Sequence, residues 1–246
     1  MRIADDFGLG CGHDQIILAL LGAGRLDGTS VMVNAAIEPA DIMRLRALRD
    51  AGAQIGLHLN LTQELSEHGP IWPLYRLMMP FIALPDGVVA SLERQIGQFA
   101  ALFGSLPDYY DGHQHCHCFP KIAPLITRLP YDSQAWVRVP LPATWAGLWL
   151  NFRSGGVKIL VIMAMASRSR AIFTKARIRV NSDFSGFLRL NDPAKVQLWL
   201  PRLLSAAAPD CLMMLHPGDA HDPIQCTGHA PESRAVEAKI LNESAL

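Results

Sequence analysis

Short runs of β-branched and aliphatic residues recur along the chain, separated by longer stretches whose apolar positions return every three or four residues. The runs predict strands at Arg2–Ala4, Thr29–Val33, Gln54–Leu59, Tyr109–His115, Ala135–Val139, Arg177–Val180 and Cys211–Leu215. Between them, Ile42, Leu45 and Leu48 predict a helix over Asp41–Ala51, and Leu92, Ile96 and Phe99 predict one over Val88–Phe103. Asp192 is placed to cap a helix over Pro193–Ala207. Such alternation is the signature of a parallel sheet flanked by helices. The stretch Asn60–Asp86 interrupts it: rich in Pro, Gly and bulky apolar residues without a period, it predicts a long loop over a site. No repeat, linker or composition break divides the chain, so one domain over residues 1–246 is expected, an α/β barrel of about seven strands.

The segment "DGHQHCHC" at residues 111–118 stands out. Read as a continuing strand, it puts Asp111, His113, His115 and His117 on one face and Gln114, Cys116 and Cys118 on the other, so the two sets do not share an ion. His113 and His117 would lie roughly 13 Å apart at about 3.3 Å per residue. A metal site here therefore needs a ligand from another strand.

Composition narrows the partners. Twenty-two basic and 22 acidic residues give a formal charge of zero, and aromatic residues make up 7%, so no nucleic acid is expected as a partner. The five cysteines are odd in number and form no CxxC pair, which points to a reducing compartment rather than a disulfide scaffold. "MRIADDFGLG" has no apolar core of a secretion signal, so a cytoplasmic location is expected. The longest apolar run, Ile159–Ala166, is far short of the ~20 residues that cross a bilayer.

In parallel α/β folds reactive groups collect at the carboxyl ends of strands. Four segments place titratable residues there: "IADDFG" with Asp5 and Asp6, "GLHLNL" with His58, "DGHQH" with Asp111, His113 and His115, and "LMMLHPGD" with His216. Two imidazoles and one carboxylate suffice to hold a divalent ion with a position open to water. Asp6, His58 and one histidine of the 111–118 segment would supply them, with the neighbouring aspartate free to take a proton from water and His216 free to protonate a leaving group. The alternatives have little support. "GLGCGH" fails the dinucleotide pattern at His13 and lacks a Walker lysine, and no HExxH, GxSxG or EF-hand loop occurs. A structural zinc site on Cys116 and Cys118 lacks a second close cysteine pair.

"ADDFG", "GLHLNLT", "DGHQHCH" and "HPG", in this order over most of the chain, resemble the YdjC-type carbohydrate deacetylases, which include the chitooligosaccharide deacetylases. The resemblance implies a distorted (β/α) barrel related to polysaccharide deacetylases, and metal-dependent removal of acetyl groups from N-acetylated sugars. It implies Asp5 as base, Asp6, His58 and His113 as ligands, and His216 as acid. Asp111 and His115 would then support a ligand or touch substrate. "VRVP" resembles the family's arginine-bearing strand, where Arg138 would hold the catalytic carboxylate or a substrate oxygen. Zinc is the first expectation for the ion; magnesium, nickel, cobalt and iron also suit such a shell.

From Leu141 to Arg179 the sequence is strongly apolar and then strongly basic, departing from the chitooligosaccharide members. The plainer account is a core helix followed by a solvated face. The other is an apolar platform beside the site, with Arg168, Arg170, Lys175 and Arg177 near anionic head groups, which would place the protein at the inner face of a membrane and suit a lipid-linked sugar. This segment and "VRVPLP" resemble the hopanoid-biosynthesis-associated branch, which acts on an N-acetylglucosaminyl hopanoid. Rival readings are a soluble chito-oligosaccharide deacetylase, an amidohydrolase-type site built on His113 and His115, and a sugar-binding protein without chemistry; a homodimer is compatible with all of them.

Overall fold

The computed structural model describes residues 1–65, 71–223 and 228–243. Among these residues eight strands form one parallel sheet: β1 Arg2–Phe7, β2 Gly28–Val31, β3 Gln54–Leu59, β4 Tyr109–Gly112, β5 Trp136–Val137, β6 Arg179–Val180, β7 Asp183–Ser185 and β8 Cys211–Leu215. Their order is β6-β5-β4-β3-β2-β1-β8-β7, a sheet curled into a distorted (β/α) barrel with no ladder between β6 and β7. Asn181 lies at that opening. Its amide accepts from the Val139 N–H and donates to the carbonyls of Val139 and Asp183, doing with a side chain what a ladder does elsewhere.

The helices are α1 Cys11–Gly22, α2 Pro39–Asp50, α3 Leu74–Met78, α4 Val88–Phe103, α5 Ala123–Ile126, α6 Trp145–Gly155, α7 Lys158–Lys175, α8 Pro193–Ala206 and α9 Pro231–Glu243. α4 occupies the span its apolar period predicts, burying Leu92, Ile96 and Phe99. Asp192 caps α8 through the Lys195 N–H. Parallel strands leave both sheet faces to be covered, which is why β1, β3 and β8 are buried almost throughout.

The structure corrects three expectations. An eighth strand, β7, follows β6 directly. The predicted strand over Tyr109–His115 ends at Gly112, and His113–Cys118 turn into a 3-10 helix in which Gln114 (φ 52°) and His115 (φ 58°) are left-handed. The single histidine face inferred from alternation therefore does not exist. Gly112 makes the turn feasible, because a Cβ there would stand 2.7 Å from Cys116 Sγ and 3.1 Å from the Leu59 carbonyl. Finally, the stretch Asn60–Asp86 is not wholly loop: α3 interrupts it, and residues 66–70 lie outside the described part.

The segment Leu141–Arg179 forms a helical hairpin, α6 and α7. α6 leaves the carboxyl end of β5 and packs on Gly186 and Phe187 just beyond β7, through Asn151 and Ser154. α7 then descends toward the start of β6. At about 1.5 Å per residue this carries Arg168 to Lys175 roughly 15–26 Å from the start of α7. Arg170 on α7 donates to the Asn181 carbonyl just past β6, and Arg168, Lys175 and Arg177 are exposed. No helix among the described residues is long and apolar enough to cross a membrane.

Candidate active site

Asp5 and Asp6 are consecutive on β1, and a regular strand would send them to opposite faces. Asp6 adopts φ 66° and the register with β2 shifts between Ala4 and Phe7. This bulge turns both carboxylates to the carboxyl end of the sheet, a device bulges commonly serve near sites. Gly8, at φ 99°, completes the turn, and its N–H donates to Asp14 Oδ1 at 2.7 Å.

His58 from β3 and His113 from the end of β4 converge on the same carboxylate oxygen. Asp6 Oδ1 is 3.2 Å from His58 Nε2 and 3.0 Å from His113 Nδ1. These spacings resemble the separations of neighbouring ligand atoms around one small divalent ion, about 3.3 Å for bonds near 2.0–2.1 Å. A two-imidazole, one-carboxylate set is the chemistry such an ion selects, so the residues fit the metal. Asp111, on β4, sits behind His58, its Oδ1 2.6 Å from His58 Nδ1. That contact aims His58 Nε2 at Asp6. Asp111 is held in turn by the Ser30 hydroxyl at 2.5 Å and by Arg138 at 3.1 Å.

Arg138 also grips Asp5 with both terminal nitrogens, at 2.5 and 2.7 Å. Both residues are almost wholly buried, so the bidentate pair is desolvated. Beside it, His216 Nε2 lies 3.9 Å from Asp5 Oδ2. Burial, together with Arg234 and Arg138, lowers the His216 pKa to about 4 despite the two aspartates, so its imidazole is neutral at pH 7. Burial alone would raise Asp6 and Asp111, yet Arg234 and His113 hold Asp6, and Arg138 and His58 hold Asp111, well below the usual carboxylate range.

Asp5, Asp6, His58, Asp111, His113, Arg138 and His216 come together at this end of the sheet, whereas His115 belongs to none of the converging groups among the described residues. Its ring packs edge-on against Phe187, and burial pushes its pKa well below the usual value. His113 and His115 therefore do not form a chelating pair. His117 is a core residue whose Nε2 lies 2.8 Å from the Arg138 carbonyl.

Two site residues went unnoticed in the sequence. Arg234 Nη2 is 2.5 Å from Asp6 Oδ2, and Glu237 Oε2 accepts the His216 N–H at 2.6 Å. The only sequence signal was their i, i+3 spacing on α9, which in "ESRAVEAK" looks like a solvated face. A second group, His13, Asp222 and His229, ties the loop after β8 to α1. Asp222 Oδ2 accepts the Gly12 and His13 N–H groups, its Oδ1 lies 3.2 Å from His229 Nε2, and His13 Nδ1 accepts the Asp219 N–H. With these donors engaged, the trio works as a latch under "HPG".

The profile of a family described as YdjC-like protein matches residues 3–246. A chitooligosaccharide deacetylase of Serratia marcescens is 33% identical over 136 residues, covering 50% of this chain and 52% of that protein. A carbohydrate deacetylase of Mus musculus is 32% identical over 177 residues, covering 57% and 54%. These matches span about half the length of each relative. Among solved structures, a protein of Enterococcus faecalis V583 provisionally assigned to cellobiose-phosphate cleavage superposes with a TM-score of 0.61 at 16% identity, covering 98% of this chain and 89% of that one, a likeness of fold.

Proposed function

Since the chain belongs to the YdjC-like family, we propose that residues 1–246 work as one metal-dependent hydrolase domain that removes the acetyl group from an N-acetylated amino sugar. The observation that carries this reading is the pairing of two differently held carboxylates. Asp6 meets two imidazoles on one oxygen, while its neighbour Asp5 is clamped by Arg138 within 3.9 Å of His216. Asp6, His58 and His113 would hold the ion. When bound, a divalent ion supplies Lewis acidity, lowering the pKa of water toward ~7 and polarising the acetyl carbonyl.

The chain's own groups do the rest. Asp5 takes the proton of the attacking water, its lone pair aimed by the Arg138 fork. His216 is neutral at rest, so it gains a proton only as the reaction proceeds and passes it from the Asp5 side to the departing amine nitrogen. Glu237 fixes the His216 backbone in that position. Asp111 keeps His58 in the tautomer whose Nε2 faces Asp6. Acetate and a free amino sugar result.

The lipid-linked form of the sugar, an N-acetylglucosaminyl lipid of the hopanoid kind, is the acceptor we favour over a soluble chito-oligosaccharide. Support comes from Trp145 and Trp149, both exposed, on the helix that borders the site. The test is acetate release from each substrate with zinc, magnesium, nickel, cobalt or iron added. Asp5→Asn is expected to lose about 10²–10⁴-fold in rate. An unchanged Asp5→Asn refutes the assigned base; no release from any substrate means a binding protein; preference for the soluble sugar removes the lipid.

A further inference from the structure

Exposed apolar side chains are not scattered over this protein. Among the described residues, the large apolar side chains more than half exposed are Tyr75, Phe81, Trp145, Trp149, Val157 and Val161, with Met43 the one exception elsewhere. Trp145 is 85%, Phe81 82% and Val157 73% exposed. Single exposed apolar residues are ordinary, but a concentration of them marks an interaction surface.

Topology puts them together. Tyr75 and Phe81 belong to the connection that leaves the carboxyl end of β3, and the other four to the connection that leaves the carboxyl end of β5. β4, which delivers His113, runs between β3 and β5. The two connections thus flank the end of the sheet where Asp5, Asp6, His58 and His113 converge. The same face carries the polar centre in its middle and apolar groups on its borders.

Charge selects the partner. No Asp or Glu occurs between Asp132 and Asp183, whereas Arg153 and Lys158 are exposed beside the apolar residues of α6 and α7. Arg153 lies against two indoles, Trp199 of α8 at 5.5 Å and the exposed Trp149 at 5.9 Å, the cation–indole pairing found at membrane interfaces. The β3–α4 connection is mixed, with Glu64 and Asp86 exposed beside Arg76, so the net positive charge comes from the β5–α7 edge. A second protein would bring a shaped complement; a bilayer with anionic head groups needs only exposed indoles and aliphatics with cations nearby.

We infer that this protein docks the catalytic face of its barrel onto an anionic lipid surface, with the β3–α4 and β5–α7 connections as the contacting edges. The inference deepens the lipid-linked reading of the substrate, but it is tested without substrate or metal, so its failure and that of the deacetylase reading are separable. The intact protein is sedimented with phosphatidylcholine vesicles with and without phosphatidylglycerol, at low and high salt. Binding is expected only to the anionic vesicles and to weaken with salt. Trp145→Ser combined with Trp149→Ser is expected to reduce vesicle affinity about tenfold or more, as is Tyr75→Ser combined with Phe81→Ser. Lys158→Glu is expected to reduce it by about fivefold or more. Met43→Ser, on α2, is expected to leave it unchanged. Thermal denaturation of each variant verifies the fold. No binding of the intact protein to either vesicle overturns the inference. So does wild-type binding by both aromatic pairs, an equal loss with Met43→Ser, or an apolar rim found to pair two copies of the chain instead.

Discussion

Arg138 is the residue whose removal discriminates most sharply. Its guanidinium is fully buried between Asp5 and Asp111, at 2.5 and 2.7 Å from one and 3.1 Å from the other. Arg138→Met keeps most of the apolar stem and leaves two buried carboxylates without their shared cation. Breaking a buried pair in this way costs about 3–5 kcal/mol. For a domain of this size each kcal/mol moves the melting temperature by about 2–4 °C, so a drop of about 6–20 °C is expected by calorimetry at pH 7. The pH dependence carries a sign. Asp111 is held below its ordinary range by Arg138 and His58, so the stability it contributes is present above its unfolded pKa of about 3.9 and is lost as pH falls through the lowered folded value. The gap between variant and wild type should therefore be widest near neutrality and narrow in acid, where the variant's carboxylates take up protons. Adding Asp5→Asn to Arg138→Met should recover part of the loss, because one uncompensated charge disappears. A variant that melts within about 2 °C of wild type at pH 7, or a double variant whose losses simply add, would refute the view that this arginine holds the carboxylates in place.

Three further outcomes follow from the geometry. His113→Ala should abolish stoichiometric metal in the purified protein, measured by plasma mass spectrometry, while His115→Ala retains it; comparable loss from both would revive the HxH site. Ser30→Ala removes the hydroxyl that holds Asp111 at 2.5 Å and itself lies 2.9 Å from the Tyr109 hydroxyl, so zinc affinity in a chelator competition should fall by about 10–100-fold. Burial raises the Asp14 pKa to about 8, so wild type loses stability as pH rises from the unfolded value near 4 through 8, whereas Asp14→Asn keeps an acceptor for the Gly8 N–H and has no charge to bury. The variant should gain in melting temperature relative to wild type between about pH 5 and 9, and a constant difference over that window would exclude Asp14 as the cause.

The apolar runs and helical periods locate most of the fold because they report burial, and burial on both faces is what a parallel sheet requires. They fail where a backbone contact or a side chain replaces the pattern. β7 has three residues, Asp183–Ser185, in a polar context, and it stands at an opening spanned by the Asn181 amide rather than by a ladder. The alternation in "DGHQHCHC" continues past Gly112 as letters, but the chain does not. The close approach of residue 112 to Cys116 and Leu59 that the turn requires is open only to glycine, and that glycine is its only trace in the sequence.

The site was legible in its acids and imidazoles and illegible in its counter-charges. Asp5, Asp6 and Asp111 are each at most 3% exposed, and such carboxylates persist as anions only beside cations. Arg138 could be suspected from "VRVP", but Arg234 reaches Asp6 from the far end of the chain, and no local pattern announces a contact across 228 positions. Counting charges then shows what the cluster demands of its histidine. Three carboxylates face Arg138, Arg234 and His58, and although burial opposes it, Asp111 raises the His58 pKa to about 10, so a protonated His58 would balance the set. An imidazole must give up the proton on Nε2 to ligate, so an ion held there would compete with that proton and its affinity would rise with pH. Arg234 engages Asp6 from the other side, on the oxygen the histidines leave free. In the proposed reading the pair of arginines would do more than neutralise: Arg138 would aim the carboxylate that takes a proton, and Arg234 engages one oxygen of its neighbour.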